Sequence, residues 1–187
     1  TGAGGHFDTW LDARTVARLR AVAAESEVTI FAVFHAALAL LLSRVSDTRD
    51  IAIGTALAGR DEPELADLIG MFVNTVVLRT RIDPDATIAE LLRSAHHTRA
   101  QALSNADVPF ELVVDAVGAR RSRSHSPLFQ VELVLQHDQV EQLLDSESEL
   151  DLIDARTPFA KYDLSLSVVD FGDTGPHADE ISIAFTY

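Results

Sequence analysis

The chain has 187 residues, 47% of them apolar, enough for one domain with a sizeable core. Its formal charge of −14 argues against nucleic acid or an anionic membrane as the main partner. With no cysteine it offers neither a disulfide nor a thiolate metal site, a composition that suits the cytoplasm.

Residues 1–6 are glycine-rich and read as a frayed end. The opening shows no signal-peptide pattern. Over 12–26, Val16, Leu19, Val22 and Ala23 fall at helical spacing. Thr29 is placed to cap a second helix over about 30–45. That helix is apolar on nearly every face, so both sides should be covered. Its most apolar run, 30–42, carries His35 and is too short to span a bilayer. No membrane partner is expected. After a polar turn at 47–50, Ile51, Ile53, Thr55 and Leu57 alternate as a strand. Gly59 ends it, and Arg60 follows in a loop.

A β-branched strand is expected over 72–82. Asn74 and Thr75 sit inside it as two adjacent polar residues. Such a pair must find partners or lie at a gap in the sheet. The plain alternative is an edge or bulged strand with both side chains solvated. Asp83, Pro84 and Asp85 form a turn. Thr87 and Glu90 make a capping-box pattern for a helix whose stripe is Ile88, Leu91, Leu92, Ala95, Ala102 and Leu103. Pro109 opens a further helix to about Val117. Residues 118–126 form a basic loop holding Arg120, Arg121 and Arg123, the densest positive cluster of an acidic chain. Phe129, Val131, Leu133 and Leu135 alternate as a strand. Residues 138–154 are acidic without a clear period and are expected to be partly mobile. Leu164, Leu166 and Val168 mark one strand and Ile181, Ile183 and Phe185 another, with a turn at 172–176. Strands alternating with helices, then strands in succession, indicate an α/β fold, a mixed β-sheet with packed helices, in one unit over 1–187.

The seven histidines show neither HExxH spacing nor a ligand cluster, so no metal is expected. His35 reads as a buried neutral histidine. His96 and His97 are adjacent in an amphipathic helix and read as a helix-surface pair. No glycine-rich phosphate loop, Walker motif or G-x-S-x-G elbow points to a nucleotide or nucleophile site.

Three stretches carry a family resemblance. Residues 69–79 read IGMFVNTVVLR and are similar to the IGxFVNTxxxR motif of condensation domains of nonribosomal peptide synthetases. Residues 107–111, DVPFE, resemble that family's (H/N)QDxPFE motif, and 121–128, RSRSHSPL, resemble its RDxSRNPL motif. They occur in the family's order. The similarity extends through 29–43, Ala58-Gly59-Arg60 and Lys161-Tyr162-Asp163-Leu164. It covers the C-terminal half of the family's domain. Ser122, His125 and Ser126 depart from the third motif, and Asn105-Ala106 from the start of the second. Arg121, Ser124, Pro127 and Leu128 match. The family's catalytic HHxxxDG has no counterpart, because after His96 and His97 the chain carries Gln101 and Ala102 where Asp and Gly would stand.

The resemblance implies one lobe of a chloramphenicol acetyltransferase-like, CoA-dependent acyltransferase fold. Whole domains of this kind form an amide between thioesters borne on two carrier proteins. This chain would hold no catalytic residue. It would place Asn74, Thr75, Arg60 and Arg79 at a tunnel or lobe interface. Arg120, Arg121, Arg123 and Ser124 would contact a carrier protein or its phosphopantetheine, which the carrier brings; no cofactor is bound by the chain itself. The implied partners are the N-terminal lobe and peptidyl or aminoacyl carrier proteins, with self-association through any apolar face left open. Two other readings are a non-catalytic module that recruits a partner, and a free-standing acyltransferase on coenzyme A thioesters. The absent catalytic motif stands against the latter.

Overall fold

The computed structural model describes residues 4–59, 63–65, 68–119, 122, 125–137, 159–173, 175 and 177–187. The elements are β1 (His6–Leu11), α1 (Ala13–Glu25), α2 (Ile30–Ser46), β2 (Asp50–Leu57), a 3-10 turn (Pro63–Leu65), β3 (Asn74–Arg81), α3 (Ile88–Leu103), α4 (Phe110–Ala116), β4 (Val131–His137), β5 (Leu164–Asp170) and β6 (Ile181–Thr186). The six strands form one sheet in the order β1-β6-β5-β4-β2-β3. β4 runs parallel to both β5 and β2, and the other pairs are antiparallel. The expected mixed sheet with packed helices is therefore present.

Local chemistry sets the helix starts. The Asp12 carboxylate accepts the Thr15 N–H at 2.7 Å at the head of α1. Thr29 caps α2 through the Ala32 N–H, and Thr87 with Glu90 closes a capping box on α3. α2 packs on α1, α3 and β2, as an all-round apolar helix must. Its last turns stay open, with Leu41 and Val45 exposed.

Strand alternation sends one set of side chains to the helices. Ile53, Leu78, Leu133, Leu166, Val168 and Ile183 meet Val16, Phe31, Ala36 and Leu92 in one core cluster. The register places Val77, Gly54, Glu132, Ser165, Thr186 and His6 in a row on the opposite face. Among the described residues His35, Thr55, Thr80 and Asp170 are buried polar groups. His35 is fully buried and its Nε2 lies 3.1 Å from the Thr80 hydroxyl. Burial drives its pKa down to about 4, outweighing a contact to the Ala95 backbone that pulls the other way. The buried carboxylate of Asp170 is held by Arg20 at 2.8 Å, and the same guanidinium reaches Asp179 at 2.8 Å. This ties α1 to the connection between β5 and β6.

The N-terminal reading is corrected. Gly5 exchanges two backbone hydrogen bonds with Tyr187, and His6 opens β1 instead of ending a frayed tail. β1 escaped notice because Phe7, Trp10 and Leu11 do not alternate, and because its pairing with β6 joins opposite ends of the sequence. The strand expected over 72–82 begins only at Asn74, and the one expected from Phe129 begins at Val131. The acidic stretch 138–154 lies outside the described residues.

Candidate functional site

The first residues of β3 face the segment that leads into α4. The Asn74 carboxamide nitrogen donates to the Ala106 carbonyl at 2.7 Å and the Val108 carbonyl at 2.9 Å. Its oxygen accepts the Phe110 N–H at 3.2 Å and the Thr75 N–H at 2.9 Å. The polar pair in the apolar strand thus resolves unequally. Asn74 is partnered within its own chain, and Thr75 is half-buried on the sheet face away from the core.

Both residues line a cleft of about 420 Å³ between segments 71–75 and 106–111. Gly59 lies on the same cleft at φ +64, and a Cβ there would run into the Phe72 carbonyl oxygen. Ile69 and Met71, just before β3, project almost fully into solvent. On the α4 side, the Phe110 ring meets Phe129 edge-on at 5.7 Å, and Phe129 meets Tyr162 at 5.1 Å. A second hollow, of about 290 Å³, opens beside them, lined by Phe110, Glu111, Val114, Ser122 and Pro127.

Phe129 is aimed inward by an unusual backbone turn. Its N–H reaches back to the Pro127 carbonyl at 2.9 Å, closing a γ-turn centred on Leu128 at φ +71. A leucine rarely adopts that region, and such turns are strained. Strain held in place by packing is common at functional positions.

Arg79 does not join the cleft. It lies five residues along β3, about 16 Å at strand rise. Its Nε and Nη2 grip the two Asp50 oxygens at 2.8 and 2.6 Å. The hydrogen bonding holds the Asp50 carboxyl below its ordinary range. Arg60, Arg120, Arg121, Arg123 and Ser124 lie outside the described residues.

Sequence reasoning passed over Glu132. It is half-buried on the sheet face away from the core and accepts the Ser165 hydroxyl at 3.3 Å. Burial raises its pKa, against Lys161, Ser165 and Tyr162, which lower it. The one available signal was a carboxylate on the polar side of an alternating strand.

His96 and His97 ride on α3, which packs on α2 and β3, and neither lines the cleft. His97 is exposed. His96 is half-buried, and its Nδ1 has no hydrogen-bond partner among the described residues. Among those residues, no group of three or more His, Asp or Glu is placed to hold a metal. No single helix there is long and apolar enough to cross a membrane.

Residues 3–187 match the family described as Condensation domain. The chain is 35% identical over 184 residues to a plipastatin synthase of Bacillus subtilis, covering 98% of this chain and 5% of that protein. It is 40% identical over 161 residues to the phosphinothricin tripeptide synthetase PhsC of Streptomyces viridochromogenes, covering 86% of this chain and 15% of that one. Among solved structures, the X-domain from teicoplanin biosynthesis superimposes with a TM-score of 0.85 at 26% identity, over 98% of this chain and 41% of that chain. The chain therefore spans a small part of these synthetases and about two-fifths of that domain.

Proposed function

The chain belongs to the condensation-domain family of nonribosomal peptide synthetases, and from that premise we propose that it is the C-terminal lobe of such a domain. In this reading it supplies one wall of the tunnel in which two carrier-borne thioesters meet, and part of the surface on which carriers dock. The observation that carries it is the Asn74 hydrogen-bond set. It links the first motif to the second, and Phe110 against Phe129 links the second to the residue that follows the third. The first two motifs thus line one cleft, and the residue that follows the third packs against the second.

The reaction is attack of an amine on a thioester carbonyl. It needs a group to take the amine proton and donors for the developing oxyanion. These groups belong to the N-terminal lobe. His96 and His97 are fixed in a helix away from the cleft and take no part. Thr75 and Asn74 border the path of the phosphopantetheine arm, and Arg60, which follows Gly59 in the sequence, is assigned to the same tunnel. Arg79, on the edge strand β3 and locked to Asp50 of β2, faces the other lobe. Arg120, Arg121, Arg123 and Ser124 contribute contacts to the carrier protein or its phosphopantetheine, a role that rests on the charge of this segment in the sequence. The carrier supplies the phosphopantetheine, and the assembly works in the cytoplasm. The test is amide formation from loaded donor and acceptor carriers, with and without the rest of the domain.

A further inference from the structure

The Asn74 carboxamide has two donors and, on its oxygen, room for two ordinary acceptances. All four are engaged within the chain, so nothing is left for a substrate. Its partners lie on both sides of the cleft: Thr75 on β3, and Ala106, Val108 and Phe110 on the approach to α4. α4 needs this support. It is a seven-residue helix whose N-cap, Pro109, makes no side-chain cap, and the Asn74 oxygen takes the N–H of its first residue instead. α4 buries only Val114, while Leu112, Val113 and Val117 after it are exposed. A helix that short is marginal without tertiary ties.

We propose that Asn74 is a positioning residue: its side chain caps α4 from β3, sets the width of the cleft between segments 71–75 and 106–111, and acts on a bound arm only through those segments. This rests on the reading of the cleft as the path of a carrier-borne thioester arm. It predicts that the arm and not the reacting amine senses Asn74. A substrate delivered on a carrier must thread the cleft at its set width. A truncated soluble thioester carries no long arm and is less affected.

The experiment uses the complete condensation domain containing this lobe, as wild type, Asn74→Ala and Asn74→Asp. Amide hydrogen exchange and steady-state kinetics are read together. Asn74→Ala should speed exchange at residues 108–117 by about tenfold or more, the scale expected from losing several hydrogen bonds. Amides in β5 and β6 should be unchanged. The same variant should raise KM for the carrier-borne substrate more than it lowers kcat, with a smaller effect on a truncated thioester. Asn74→Asp keeps both acceptances and loses both donations. It should preserve protection at Phe110 while loosening residues 106–108. Unchanged exchange at 108–117 in Asn74→Ala would overturn the proposal. So would a kcat loss equal on both substrates, which would make Asn74 a contact of the reacting groups. Loosened α4 with carrier-borne turnover unaffected would refute the cleft-width role and so overturn the proposal, without bearing on the reading of the cleft as the arm's path.

Discussion

The ring of Phe129 occupies the space in which a side chain on Gly54 would begin, so the interior strand β2 carries a glycine where the aromatic cluster crosses it. A Cβ at Gly54 would drive into that ring, and Phe129 cannot swing away because it is held by Phe110, Tyr162 and the turn at Leu128. Gly54→Ala should therefore destabilise the chain by about 1–3 kcal/mol, the usual cost of overpacking. Denaturant unfolding measures it. Phe129→Leu in the same chain should recover part of the loss. If the two substitutions simply add, the contact is not the cause.

His35 makes stability depend on pH. Its folded-state pKa of about 4 lies below the ordinary 6.5, so between those values the unfolded chain binds a proton that the folded chain refuses. Stability is full above the ordinary value and is lost as the pH falls toward the folded one. The loss is about 3 kcal/mol at most. His35→Gln should flatten this part of the curve in urea titrations from pH 7 to pH 4. An unchanged slope would place the transition on another group.

The basic loop should contribute electrostatically to carrier binding. Replacing Arg121 and Arg123 together with Glu should weaken binding of a phosphopantetheinylated carrier. Wild-type affinity should fall as salt rises, since exposed charges are screened within about 8 Å at physiological ionic strength. Titration calorimetry at two salt concentrations measures both. An affinity indifferent to the double reversal would remove the loop from the interface.

What the sequence made legible was mainly local. Asp12, Thr29 and the Thr87–Glu90 pair announce helix starts because a cap is decided within three or four residues. The alternation of Ile51, Ile53 and Thr55 announces a strand because one face is buried. β1 was hidden because Phe7 and Trp10 stay substantially exposed and its partner is β6. Of the site, the polar character of Asn74 was visible, but three of its four partners are 32 to 36 residues away and no periodicity points to them. Glu132 was silent for the opposite reason: an alternating strand hides a half-buried carboxylate among its ordinary polar positions.

The central claim is that this lobe shapes and docks but does not perform the chemistry, and amide formation tests it most directly. Adjacent helical residues splay about 100° apart, and Gln101 cannot supply the carboxylate that the HHxxxDG pattern calls for. Donor and acceptor carriers loaded with their thioesters and mixed with this chain alone should give no amide above the buffer control. The complete domain should give product, and within it replacing His96 and His97 together with Ala should leave turnover within a few-fold. Product from the isolated chain, or loss of turnover in that double variant with its fold intact, would contradict the account.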